Sequence, residues 1–400
     1  MDNFTFYSPT EFVFGKDTEQ QAGKLCRQYG ATKVLVVYGG QSARKSGLLD
    51  RVLASLKAEG LATAELGGVQ PNPTDPKVYE GIELARKENV DFVLAVGGGS
   101  VIDTAKTICA GVPYDGDFWD FFAQRAVIKA ALPVAVVLTI PAAGSEGSGN
   151  AVITRLETKQ KLGIKAKTLL RPRFSIMNPE LTYTLPPYQT TSGICDMMAH
   201  ILERYLSNTD DVMIGDRLCE GTLLAIMDAA GRVMKEPCDY GARANIMWSG
   251  MVAHNDTCSC GREEDWSCHQ MEHELSAVYN VTHGAGLAVM FPAFLTYMAQ
   301  HHPDKVAQLA IRVLGVNATT PEIRFMSADE KQRVAMQGVS RLRSFFKYTL
   351  RLPVTLPELG IPEPDIELLV RKLHEDKGES FGFYYTLTPD ISREIYQLAM

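Results

Sequence analysis

No stretch of this chain is apolar for long enough to span a bilayer. The first residues, MDNFTFYSPTEF, contain no basic segment leading into an apolar core, so no secretory signal is visible and a cytoplasmic setting is expected. Basic residues are not in excess. Forty Lys and Arg stand against 47 Asp and Glu, for a net charge of −7, which argues against a nucleic-acid or anionic-membrane partner. Cysteine is sparse, eight residues in 400, and with no secretory signal these read as reduced thiols, not a disulfide framework. Cys258, Cys260 and Cys268 cluster near His269, but C-x-C spacing without a second cysteine pair is a weak zinc–thiolate pattern, so structural or incidental thiols are the first reading. Internal repeats, low-complexity tracts, a G-x-G-x-x-G turn and a Walker A loop are all missing.

What is present fits a globular protein: 46% hydrophobic and 22% charged residues over a length that makes two domains the default. Strands and helices alternate in the first part. Lys33–Tyr38 (KVLVVY), Asp91–Val96 (DFVLAV) and Pro133–Ile140 (PVAVVLTI) read as buried strands, with helices from Leu48 to about Glu59 and from Lys77 to Lys87. Strands separated by helices imply parallel βαβ units in a doubly wound, Rossmann-like sheet. After Pro186-Pro187 helical periodicity dominates: 189–207, 213–235, 242–254, 266–279, 288–301 and several segments after 328. The expected layout is an α/β domain over 1–185 and an all-α domain over 186–400, which the motifs below assign to dinucleotide and metal binding respectively.

The second strand runs into Gly97-Gly98-Gly99-Ser100 and then VIDTAK, which is strand, glycine turn, helix. Glycines let a backbone approach a ligand without Cβ interference. The free N–H groups and dipole of the following helix suit a pyrophosphate. A second Ser/Gly turn, 144–149, follows the third strand. Open α/β sheets bind ligands at the carboxyl ends of their strands, so both turns would face one crevice. After the first strand comes Gly39-Gly40-Gln41-Ser42-Ala43-Arg44-Lys45, which holds no acid for a ribose 2′-hydroxyl. Ser42 with a nearby cation would suit a 2′-phosphate, so NADP(H) is expected over NAD(H). The plain alternative is that Arg44 and Lys45 are solvated.

In the helical half, Asp196 and His200 lie four apart in TSGICDMMAHILERYLS, on one helix face. His269 and His283 lie in WSCHQMEHELSAVYNVTHGAG, and five of the eight histidines fall between 200 and 283. A lone helical histidine is usually packed or solvated. One carboxylate and three imidazoles together suit Fe²⁺ or Zn²⁺.

These motifs, in order, resemble the iron-containing (group III) alcohol dehydrogenases, and more narrowly their butanol dehydrogenase-like branch. The likeness spans FYSPTEFVFG, YGGQSARKSG, PNPT, AVGGGSVIDTAK, AGSEGSG, NPELTYTLPP, DMMAH and GREEDWSCHQMEHELSAVYNVTHGAGLAVMFPA. The resemblance implies a dinucleotide-binding domain, a helical domain and an active site in the cleft between them. It implies one metal ion per chain on Asp196, His200, His269 and His283, with a homodimer as the assembly. Gly98, Gly99 and Ser100 would hold the pyrophosphate, and Gly39, Gly40 and Ser42 the adenosine ribose. Asp103, Thr139 and Lys161 would contact the cofactor, and His273 would sit beside the reacting centre without ligating the metal. Gln41, where close relatives often carry Gly, and Cys258, Cys260 and Cys268 depart from the pattern. Cys268, next to a proposed ligand, suggests oxidation sensitivity.

The implied reaction moves a hydride between NAD(P)H and a short-chain aldehyde or primary alcohol, with reduction as the physiological direction. His273, one turn after His269, would relay a proton or orient a ligand. Phe118, Trp119, Phe121 and Phe122 would line an apolar pocket or belong to the core. Rival readings are a glycerol- or 1,2-diol-type polyol dehydrogenase, a dehydroquinate synthase and a non-catalytic binding protein. His269-Gln-Met-Glu-His273 is also formally H-x-x-E-H, a zinc-protease pattern with Glu272 as base, but that leaves Asp196, His200 and the glycine turn without a role.

Overall fold

The computed structural model describes residues 1–320 and 322–400, and it divides into two compact units, one of Tyr7–Leu185 and one of Met1–Phe6 with Pro186–Met400.

The first unit is built on a six-stranded, all-parallel sheet. Its strands, in their order across the sheet, are β1 (Glu11–Phe14), β8 (Phe174–Met177), β5 (Val134–Ile140), β4 (Phe92–Gly98), β2 (Lys33–Tyr38) and β3 (Ala62–Leu66). β6 (Asn150–Arg155) and β7 (Gln160–Lys165) form a separate antiparallel hairpin. The helices are α1 (Ala22–Gln28), α2 (Ser42–Lys45), α3 (Leu48–Ala58), α4 (Asp75–Lys87), α5 (Gly99–Gly111) and α6 (Trp119–Phe122). The central strands carry Val, Leu, Ala and Phe on both faces and are buried on both, as parallel strands covered by helices must be. β4 runs two residues past Val96, because Gly98 still pairs with Ile140 across a register shift. Phe118, Trp119, Phe121 and Phe122 are all buried, and Trp119 stacks on Phe122 at 5.0 Å, so this cluster is core.

The second unit is helical: α7 (Pro187–Tyr205), α8 (Met213–Val233), α9 (Tyr240–His254), α10 (Ser267–Tyr279), α11 (His283–His301), α12 (Asp304–Arg312), α13 (Ala328–Ser344), α14 (Ile366–Lys377) and α15 (Pro389–Leu398). α11 is apolar nearly all round and is the hub, packing against α7, α10, α12, α13 and α15. It begins at His283, five residues before the sequence pattern suggests. Its first turn, His-Gly-Ala-Gly, reads as loop, yet the glycines serve close packing: a Cβ at Gly284 would lie 2.0 Å from Ser192 O on α7. The chain's first residues join this unit through Asp2 N to Gly261 O at 2.9 Å and the Met1 amino group to Asp210 O at 2.7 Å. Among the described residues no helix is long and apolar enough to cross a membrane.

Candidate metal centre and cofactor turn

α7 places Asp196 and His200 on one buried face, α10 contributes His269, and α11 opens with His283. Their donor atoms converge on one carboxylate oxygen. Asp196 Oδ1 lies 3.5 Å from His200 Nε2, 3.7 Å from His283 Nε2 and 4.0 Å from His269 Nε2. Donors about 2.1 Å from one tetrahedral ion lie about 3.4 Å apart, so this spacing fits a divalent ion with little adjustment. Asp196, His200 and His269 are buried and His283 is half-buried. A carboxylate buried among three imidazoles needs its charge matched, and a cation held by all four would match it. Burial, with His254 and His269 alongside, holds the His200 imidazole well below its usual range and neutral, as a ligand must be. The donor set therefore fits Fe²⁺ or Zn²⁺.

The other ring nitrogens of His269 and His283 meet protein groups. His269 Nδ1 lies 2.9 Å from Glu203 Oε1, and Glu203 also accepts from His269 N at 2.8 Å and Trp266 N at 3.0 Å. His283 Nδ1 is bonded to Glu272 Oε2, while Ser276 Oγ donates to Glu272 Oε1 at 2.5 Å. Arg204 is 1% exposed, donates to His200 O at 2.7 Å and lies 4.6 Å from the Trp266 ring. It also meets His254 Nδ1 at 3.0 Å, and a guanidinium only donates, so that nitrogen is an acceptor. His273 is half-buried with its ring 5.5 Å from that of His283. It falls in a second group of close donors, with Glu272 and His283, and not in the group of Asp196, His200 and His269. Glu203, Arg204 and His254 carry no sequence signal beyond helical spacing. Glu203 does lie three residues after His200, as Glu272 lies three after His269.

Cysteine is absent from both groups of close donors among the described residues. Cys268 is fully buried, and desolvation together with Glu203 and Asp265 pushes its thiol well above the usual range. That environment opposes the thiolate that oxidation requires, against the sensitivity suggested by its place in the sequence.

In the α/β unit, β4 passes directly into α5. A Cβ at Gly97 would sit 2.5 Å from Val101 Cγ2, and one at Gly98 would sit 2.9 Å from Ile140 Cβ, whereas Gly99 faces open space. The first two glycines are thus demanded by packing, and the third leaves the α5 N-terminus approachable. Gly39 and Gly40 link β2 to α2, which starts at Ser42, and Thr139 lies near the end of β5. These positions and Ser100 all stand at carboxyl ends of neighbouring strands. Asp103 is turned onto the protein itself, accepting from Ser145 Oγ at 2.7 Å and Val152 N at 3.0 Å. Lys161, on β7, is buried and donates to Asn72 Oδ1 at 3.3 Å. Lys106 is the residue the motif reading passed over. Fully buried, it donates to Ser145 O, Ser148 O and Asn150 O at 2.6, 2.8 and 2.9 Å, pinning the 144–149 turn. Desolvation lowers its ammonium to about 8.

Residues 9–179 match the iron-containing alcohol dehydrogenase family, and residues 190–399 match the C-terminal region of the Fe-containing alcohol dehydrogenases. A probable NADH-dependent butanol dehydrogenase of Bacillus subtilis is 38% identical over 98% of this chain and 97% of its own. An NADPH-dependent aldehyde reductase of Escherichia coli is 35% identical over 100% of both chains. The crystal structure of an NADH-dependent butanol dehydrogenase from Thermotoga maritima superposes with a TM-score of 0.93 at 40% identity, covering 100% of this chain and 99% of the other.

Proposed function

The chain belongs to the iron-containing alcohol dehydrogenase family, and from that premise we propose that it reduces short-chain aldehydes such as butanal, and oxidises the matching primary alcohols, with a divalent metal on Asp196, His200, His269 and His283. As a family member it is an NAD(P)H-dependent alcohol dehydrogenase or aldehyde reductase. The observation that carries the metal reading is the convergence of three Nε2 atoms on Asp196 Oδ1. It also disfavours the H-x-x-E-H protease: Glu272 is bonded to His283 Nδ1, not left as a general base.

When bound, the metal supplies a Lewis acid for the substrate oxygen and the nicotinamide supplies or accepts the hydride. The residues do the rest. Gly98, Gly99 and Ser100, at the α5 N-terminus, offer N–H groups and positive potential to a pyrophosphate. Gly39, Gly40 and Ser42 border the ribose, Thr139 and Lys161 flank the cofactor, and Asp103 and Lys106 hold the 144–149 turn in shape. Reduction leaves an oxyanion that needs a proton, and half-buried His273, beside His283, is the group we assign to deliver it. His273→Ala should lower turnover and remove a limb of the pH profile. Full activity with an unchanged profile would end that assignment.

For the dinucleotide we favour NADH, against the NADP(H) expected from Ser42 and its cationic neighbours. Arg44 Nη2 donates to Glu65 Oε2 at 2.7 Å and to Tyr38 Oη at 2.5 Å, so a 2′-phosphate near it would meet a cation already matched by a carboxylate. The relatives do not choose, since two are named for NADH and one for NADPH. A homodimer is the assembly we propose, and size-exclusion chromatography with light scattering tests it. A reducing cytoplasm suits the eight unbridged cysteines.

The test is metal analysis of anaerobically purified protein, with NADH and NADPH turnover on a series of aldehydes. One Fe²⁺ or Zn²⁺ per chain and turnover of butanal are expected. Cleavage of casein without butanal turnover would overturn the reading.

A further inference from the structure

Taking the four-ligand reading as given, we propose that Glu203 and Glu272 are positioning residues, which fix the tautomer and ring plane of His269 and His283 and so aim both Nε2 lone pairs at one divalent cation.

The argument is geometric. A carboxylate accepts and does not donate, so an imidazole bonded to it through Nδ1 carries its proton there and leaves Nε2 bare. Glu203 takes this position against His269 at 2.9 Å, and Glu272 against His283. In both rings the opposite nitrogen is the one that faces Asp196 Oδ1. A carboxylate behind an imidazole also raises its basicity toward a metal. His200 is built differently. Its Nδ1 is buried without a hydrogen-bond partner, and the ring is held by packing against His254, Trp266 and His269 at 4.5, 5.3 and 4.5 Å.

Each carboxylate belongs to a different helix from the imidazole it holds. Glu203 on α7 reaches His269 on α10, and Glu272 on α10 reaches His283 on α11. The pairs therefore lock three helices into the arrangement that brings the donors together. Room is made for them in the backbone: a Cβ at Gly286 would fall 2.5 Å from Glu272 Oε1. Glu203 has a second job, accepting the Trp266 and His269 amides at the start of α10. Glu272 has no such capping role and is the cleaner residue to test.

The experiment uses metal-free full-length protein and Co²⁺ as the probe. Affinity is read by chelator competition, the coordination environment by the visible Co²⁺ spectrum, and folding by circular dichroism and apo-protein Tm. Glu272→Gln keeps an acceptor but loses the charge, and should weaken Co²⁺ binding about tenfold. Glu272→Leu removes the acceptor and should weaken it about a hundredfold, the upper end for such partners, with an altered spectrum. A purely structural glutamate would lower the apo Tm and leave the affinity of the folded protein unchanged. Wild-type affinity and spectrum in folded Glu272→Gln would overturn the proposal, even where Glu272→Leu fails to fold. Asp196→Ala separates the two levels of argument. If it binds Co²⁺ like the wild type, the four-ligand reading itself falls. If it loses Co²⁺ while Glu272→Gln and Glu272→Leu do not, only the positioning role falls.

Discussion

In the α/β unit the candidate ligand site is made of backbone. Gly97 and Gly98 are glycine because Val101 and Ile140 leave no room for a Cβ, and Gly99 leaves the first turn of α5 open. In the helical unit the site is made of side chains, an aspartate and three histidines from three helices, with the histidines held from behind by packing or by a buried carboxylate. The first kind of site is damaged by adding atoms, the second by removing them. The ligands proposed for them differ to match. A pyrophosphate is a large anion that takes many N–H groups at a helix end, whereas a metal ion needs a few donors of the right chemistry at short range.

The largest effect should come from removing a donor. Asp196→Ala takes away the oxygen on which three imidazoles converge. Co²⁺ or Zn²⁺ retention should fall below one-tenth per chain, and aldehyde turnover should fall by about 10³-fold or more, since the ion supplies several kcal/mol of charge stabilisation. NADH binding to the variant should stay within about twofold of wild type. A parallel loss of NADH affinity would break the separation of the two sites. The mirror experiment adds atoms. Gly98→Val puts a branched side chain where even a Cβ lies 2.9 Å from Ile140. The end of β4 must shift, at about 1–3 kcal/mol of overpacking, and NADH affinity should fall about 10- to 100-fold with metal content unchanged. Normal NADH binding in the folded variant would show that the pyrophosphate is held elsewhere.

The two constructions were not equally legible in the sequence. Backbone-built features leave local marks. β2 matches its apolar run from Lys33 to Tyr38, and the glycine turn stands where β4 meets α5. Side-chain construction hides its partners, because helical periodicity tells which face is buried but not what that face meets. Asp196 and His200 could be paired by spacing, yet Glu203 and His269 meet across 66 residues, and nothing in either segment announces it. The same blindness explains the late start assigned to α11: glycines that permit contact with Ser192 look like glycines that end a helix. The β6–β7 hairpin went unread for a further reason. Its strands are as long as β2, but both carry lysine, arginine or glycine, so neither a continuous apolar run nor a clean alternation marks them.

Buried carboxylates sharpen the contrast at intermediate size. In the helical unit Glu272 is bonded on both oxygens, whereas in the α/β unit Glu146 is 1% exposed and its Oε1 has no hydrogen-bond partner. Desolvation raises the Glu146 carboxyl from 4.5 to about 7, with Lys106 and a backbone N–H only partly offsetting it. The folded state therefore binds a proton that the unfolded state has released. The burial penalty is full above about pH 7 and is relieved as pH falls toward 4.5, so this group makes the protein more stable over that descent. Glu146→Gln should flatten that part of the stability–pH curve by at most about 3 kcal/mol and raise Tm at pH 8. An unchanged slope between pH 7 and 4.5 in the variant would assign the proton uptake to another group.

The smallest effect tests the edge of the backbone-built site, where side chains do enter. Arg44 and Glu65 are 44% and 36% exposed, so their pairing is screened by solvent and its loss should have only a small effect. Glu65→Gln should free the Arg44 guanidinium from its carboxylate while keeping a neutral partner in place. NADPH affinity relative to NADH should then rise by no more than about fivefold. The ratio of the two dissociation constants, measured by nicotinamide fluorescence on the same preparation, isolates the 2′-phosphate from any general change in the turn. A rise in both affinities together would mean that Glu65 repels the pyrophosphate as well. An unchanged ratio would mean that Arg44 does not border the ribose, and the NADH proposal would lose the observation it rests on.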